Sequence, residues 1–243
     1  MGLRMGAWRG MRRWLAGVLA VIGALAWGAC AASPPAPRAG LAVVAGTLEL
    51  VPRDGLPTHH APGAYGDRRL RDVTWVDYSK PDSAVVYLDA GTRPGGRVSL
   101  AAEDTVTGSR LAPRFEVVGA GGAIAIDNRS TRAAVVSIPG LDSVERLEPG
   151  AGIAVRAERP GPVEIFLLGA DEPSVVWVAP GPWTRPGPDG RYALVDLPPG
   201  PATLRAWHPR LPGAVAEVEL HADEITPLDF ELGVGRGEGP DAP

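Results

Sequence analysis

The chain has one cysteine, Cys30, in 243 residues. A single thiol cannot close an internal disulfide, so the fold must hold by burial and hydrogen bonding alone. Lys80 is the only lysine among 24 basic residues, which stand against 28 acidic ones. The first 29 residues carry four of the arginines (Arg4, Arg9, Arg12 and Arg13) and no acid, so the remainder has 20 basic residues and is clearly acidic. An acidic, lysine-poor surface is a poor partner for nucleic acid or anionic lipid heads. Aromatics make up only 6% of the chain, and three of its seven tryptophans fall within the first 27 residues. There are four histidines: His59, His60, His208 and His221. No stretch after residue 32 repeats its apolar residues at the 3.6 spacing of a helix.

What the chain has in quantity is glycine and proline, 32 and 26 residues, scattered between short apolar runs. Punctuation of that kind predicts many short strands joined by turns, an all-β protein of sandwich type. The runs include LAVVAGTLELV (41–51), SAVVYLDAG (83–91), RVSLAAED (97–104), RFEVVG (114–119), AIAIDN (123–128), AAVVSIPG (133–140), PVEIFLLG (162–169) and SVVWVAP (174–180). PLDFEL near the end alternates cleanly, with Leu228, Phe230 and Leu232 on one face and Asp229 and Glu231 on the other. RYALVDL, the turn at Pro199-Gly200 and ATLRAWH read as a hairpin whose packed end carries Trp207 and His208. Gly-Ala-Gly-Gly (119–122) also reads as a hairpin turn, because no helix follows to make it a phosphate loop.

The N-terminus reads as a targeting segment. A basic stretch, the apolar run WLAGVLAVIGALAWGAC and the small residues after it make a secretory signal over residues 1–29. Cys30 closes the run and is the expected lipid-attachment residue of a bacterial lipoprotein, with residues 30–40 as a Pro-rich tether. Trp27 stands where such signals ordinarily have leucine; cleavage after Ala31 or an uncleaved anchor are the alternatives. Each outcome puts the rest of the chain outside the cytoplasm, at the periplasmic face of a membrane. Residues 233–243 read as a disordered polar tail.

The stretch DGRYALVDLPPGPATLRAWHP, followed by AVAEVEL and ITPLDFEL, resembles the carboxypeptidase regulatory-like (transthyretin-like) β-sandwich. Its Trp-His ending is similar to the plastocyanin-like, methylamine-utilisation-type proteins, which couple a cupredoxin to such a unit. RLAPRFEVVGAGGAIAIDNRS and LEPGAGIAVRAERPGPVEIFLLG resemble the corresponding cupredoxin segments. The resemblance spans about residues 41–232. It implies two β-sandwiches: a Greek-key cupredoxin-like domain, residues 97–180, inserted in a carboxypeptidase regulatory-like domain formed by 41–96 and 181–232. It also says where copper ligands would stand. The first, a histidine after Asn128, falls at Ala134. The later Cys, His and Met fall at Leu167, Ala170 and Pro173. A type-1 centre needs a thiolate and two imidazoles, so no cofactor is expected.

The remaining candidates are weaker. Adjacent His59 and His60 point to opposite sides of an extended chain, a poor chelate unless the loop folds around a metal. Copper handling through them, with His208 or His221, is one alternative. A carbohydrate-binding module using Trp177 and Trp183 as a stacking platform is another, weighed against their packing a domain junction. The acidic pairs Asp171-Glu172 and Asp223-Glu224 are sequence neighbours with no glycosidase spacing, and Ser137 and Ser174 lack a nucleophile-elbow context. The expectation is a non-enzymatic envelope lipoprotein, a binding or structural module whose partner is an envelope protein or a glycan.

Overall fold

The computed structural model describes residues 33–52, 76–91, 95–106 and 108–233. The leader, Cys30, His59, His60 and residues 234–243 lie outside them. Two strands open the fold, β1 (Ala42–Val51) and β2 (Val85–Leu88). The middle follows as β3 (Arg97–Thr105), β4 (Gly108–Ala112), β5 (Phe115–Gly119), β6 (Gly122–Asn128), β7 (Ala134–Ile138), β8 (Ser143–Leu147), β9 (Gly152–Ala157), β10 (Gly161–Leu167) and β11 (Ser174–Ala179). The chain ends in β12 (Trp183–Thr184), β13 (Arg191–Leu197), β14 (Gly200–His208), β15 (Leu211–Leu220), β16 (Ile225–Pro227) and β17 (Phe230–Gly233). The only helical segments among the described residues are two 3-10 turns, at 81–83 and 139–141. None of these residues forms a helix long and apolar enough to cross a membrane.

The strands form four sheets around three cores. The first core has β1 at the centre of one wall, antiparallel to β13 and parallel to β16 and then β17. Its other wall is the sheet β12-β2-β14-β15. Leu48, Leu194, Leu204, Leu220, Phe230 and Leu232 meet between them. The second core lies between β4-β3-β6-β9 and β5-β11-β10-β7-β8, and is filled by Leu100, Ile124, Ile126, Ile138, Ile165 and Val176 among others. In this middle region the chain passes repeatedly from one sheet to the other, and two of its pairings, β3 with β6 and β5 with β11, are parallel.

A third core joins the two. Val85 and Tyr87 of β2 pack with Phe115, Val117, Trp177 and Ala179 of β5 and β11. This explains why VVYL, the whole of β2, is apolar throughout instead of alternating. Val86 and Leu88 face the first core, Val85 and Tyr87 face the third, and all four are buried. A strand covered on both faces needs apolar residues at every position.

Two turns depart from the hairpin expectation. β13 pairs with β1, whereas β14 pairs with β15 and β2, so Pro198-Pro199-Gly200 carries the chain from one sheet to the facing one. Neither proline has an N–H to continue a ladder, and Gly200 takes a φ of 123°, which suits glycine. The hairpin that does end in Trp207-His208 is the next one, β14–β15, where His208 pairs with Leu211. Likewise, Gly119–Gly122 joins β5 to β6 across the second core rather than within one sheet.

Candidate functional site

β7 and β10 are neighbours, with Leu167 opposite Val136. The Leu168 N–H donates to the Val135 carbonyl at 2.9 Å, and the Ala170 N–H to the Leu167 carbonyl at 3.0 Å. This places Ala134, at the start of β7, beside Leu167, at the end of β10; both are buried and Ala170 packs partly buried against the same core. Ala134 and Leu167 line one hollow of about 280 Å³ with Ser130, Arg132, Leu168 and Gly169. Alkyl side chains have no lone pairs to offer, so these positions do not fit a metal. Pro173 lies elsewhere, in the larger hollow described below. Among the described residues, no group of three or more His, Cys, Asp or Glu side chains stands close enough to hold a metal ion.

The loop leading to Ala134 is held by Asn128, which is buried. Its amide nitrogen donates to the carbonyls of Arg132 and Leu147, each at 2.8 Å. Its oxygen accepts from the Ser130 N–H at 3.0 Å and is 2.6 Å from the Ser130 hydroxyl. Both amide hydrogens are donated and the oxygen accepts the Ser130 N–H, while the Ser130 hydroxyl lies between that oxygen and the Arg132 carbonyl at 2.7 Å, so the amide fixes the loop.

His208 is 5% exposed. Its Nδ1 accepts the backbone N–H of Arg210 at 3.1 Å, so in the neutral ring the proton sits on Nε2. Nε2 then donates to the Ser83 hydroxyl at 3.0 Å, and that hydroxyl donates to the Lys80 carbonyl at 2.7 Å. A nucleophile–base pair requires the opposite direction, with serine donating to the imidazole. The polarity of this chain makes it a structural tie between the 81–83 turn and the β14–β15 turn. Burial, with a smaller contribution from the Arg210 charge, pushes the His208 pKa down from 6.5 to about 4. The unfolded chain therefore takes up a proton that the native state refuses. Stability should fall as pH is lowered from 6.5 to about 4, by roughly 3 kcal/mol in total, and this contribution should flatten below that window. Denaturant titrations across that range check it: the slope should largely vanish in His208→Gln, and an unchanged slope would assign the effect to other groups. His221, by contrast, is exposed just beyond β15.

The tryptophans weighed as a stacking platform belong to the third core. Trp177 is 7% exposed and stacks on Trp207, with ring centroids 4.1 Å apart and planes 26° from parallel. Tyr87 lies 5.4 Å from Trp177, and Phe115 lies 6.1 Å from Trp207. Trp183 is half-buried against the same cluster. Arg185 reinforces the junction. Its guanidinium lies 5.2 Å from the Phe115 ring centroid and donates twice to the Asp82 carbonyl, at 3.1 and 2.7 Å.

Beside this junction opens a hollow of about 550 Å³. Three turns wall it: residues 76–83, 171–173 and 208–210. Phe115 and Val175 supply apolar surface, and Lys80, Arg114, Glu164 and Arg210 are among its charged residues. These residues come from separate parts of the chain, and no local motif marks them in the sequence. Its size and its position between two packed units suit a small-molecule site.

No family model matches the chain, and no curated protein is similar to it in sequence. Among solved structures it is similar to a purple cupredoxin from Nitrosopumilus maritimus, at 12% identity over 34% of this chain and 99% of that one, with a TM-score of 0.29. It is also similar to a methionine-to-alanine variant of amicyanin in the Cu(I) state, at 11% identity over 40% and 98% of the two chains, with a TM-score of 0.27. A third is a copper-containing nitrite reductase from Thermus scotoductus, at 12% identity over 60% and 67%, with a TM-score of 0.29. Identities and scores this low carry nothing about activity to this chain. The protein's own strands define it as all-β, of β-sandwich type.

Proposed function

We propose that the protein is a non-enzymatic binding module of the bacterial cell envelope. In this reading residues 97–180 are a cupredoxin-like sandwich inserted in a carboxypeptidase regulatory-like one, and the inserted unit keeps its framework without its copper chemistry. The observation that carries the reading is the side-by-side burial of Ala134 and Leu167 at the ends of β7 and β10. Alkyl groups stand there where the resemblance would put an imidazole and a thiolate, while Asn128 still holds the loop in place. The direction of the Ser83–His208 hydrogen bond supports a non-catalytic role for the histidine. The leader and Cys30 support an envelope location with a lipid anchor, where the partner is an envelope protein or a glycan.

Metal content tests this. Purified full-length protein is loaded with copper or zinc, desalted and measured by elemental analysis. Near-zero metal is the expected result. One tightly held copper per chain would overturn the reading in favour of copper handling, and its loss in a His59→Ala/His60→Ala variant would locate the site.

A further inference from the structure

We propose that the hollow beside the junction binds an organic cation, a protonated amine on an apolar stem. This rests on the binding-module reading and names the site and ligand class within it. The register of three strands builds the floor. Glu164 of β10 stands opposite Val175 of β11, and Val175 stands opposite Phe115 of β5. Side chains in register on neighbouring strands share a face. The row therefore runs from a carboxylate across a valine to an aromatic ring, about 10 Å at the usual strand spacing. Pro173 and Pro209 continue the lining from the turns. Alkyl and proline side chains give a stem nothing to hydrogen-bond but a surface on which to lose its hydration.

The charges decide the sign of the ligand. Three cationic side chains line the hollow, and each already has a carboxylate within it. Lys80 lies 3.2 Å from Asp77. Arg114 lies 3.1 Å from Glu172 and also donates to the Glu172 carbonyl at 3.0 Å. Arg210 reaches the same Glu172 carboxylate at 3.6 Å. Two carboxylates remain, Glu164 and Asp171, which form no ion pair among the described residues. An anion would have to displace Glu172 from two guanidiniums. An amine finds open acceptors at the end of an apolar row. His208, buried and kept neutral chiefly by that burial, adds no opposing charge.

The test uses full-length protein and three probes of equal length: hexylammonium, hexanol and hexanoate. Each is titrated by calorimetry and by tryptophan fluorescence, which reports on Trp177 and Trp207 next to Phe115. Saturable hexylammonium binding is expected, with hexanol and hexanoate weaker by roughly tenfold or more. Glu164→Gln/Asp171→Asn, on two exposed side chains, should bring hexylammonium down to the hexanol level, while Glu145→Gln on the exposed edge strand β8 should change nothing. Hexanoate binding as tightly as the amine, unchanged binding by the double variant, or no saturable binding of any probe would overturn the proposal. Failure here in a metal-free chain rejects only this site, whereas tightly held copper rejects the reading beneath it, whatever the amines do.

Discussion

Gly46→Ala should abolish the folded protein or cost about 4 kcal/mol or more, an effect far larger than glycine-to-alanine substitutions usually have. The reason lies where β1 changes partner. It pairs with β16 through Ala45 and with β17 from Leu48 onwards, so Leu228-Asp229 must bridge the gap against Gly46 and Thr47. The bridge is tightly tied. The Leu228 N–H donates to the Ala45 carbonyl at 3.1 Å, and the Leu228 carbonyl accepts from the Tyr192 hydroxyl at 2.6 Å. The Asp229 carboxylate accepts from both the backbone N–H and the hydroxyl of Thr47, each at 2.7 Å. A methyl group on Gly46 would fall inside the Leu228 carbonyl. Backbone pinned on both sides cannot step away as a flexible side chain could. Chemical denaturation beside Gly140→Ala, where an added Cβ meets nothing within 4 Å, provides the comparison. A loss below about 1 kcal/mol would mean that the bridge moves aside after all.

Phe230→Ala should cost about 3–5 kcal/mol. The ring is buried in the first core, pairs in register with Leu48, and lies 6.3 Å from the Tyr192 ring. The cavity left by its removal cannot close easily, because β17 is fixed by backbone bonds to β1 at Leu48–Val51. Val215→Ala, on an exposed position of β15, should change stability by no more than about 0.5 kcal/mol. Equal small losses in both variants would place Phe230 outside the core.

Much of the fold was legible where one physical rule acted alone. The alternation of the last strand put Phe230 and Leu232 inside and Asp229 and Glu231 outside, as the structure has them. Strands β4, β8 and β12 escaped the sequence reading for a shared reason. Each is the edge of its sheet, with one neighbour and fewer buried positions, so its apolar pattern is faint. The sheet-crossing turns were misread because proline and glycine mark a change of direction without saying which sheet the chain enters next. At the functional level, the alkyl residues Ala134 and Leu167 could be placed only through resemblance; the structure adds that they are buried side by side. The hollow at the junction was invisible because its charged and apolar residues are spread from Val76 to Arg210. Only the folding of three distant turns brings them together.

The central position of β1 also bears on how the chain is made. All its ladder partners, β13, β16 and β17, follow residue 190, whereas β3 to β11 find their ladder partners among themselves, within residues 97–179. A polypeptide that emerges N-terminus first can therefore complete its middle before its beginning. Until β13 appears at residues 191–197, AVVAGTLELV is a ten-residue, largely apolar strand with both edges unsatisfied, the kind of segment that pairs with other chains. The topology thus sets a period of vulnerability during biogenesis, and it is longest for the segment nearest the membrane anchor expected at Cys30.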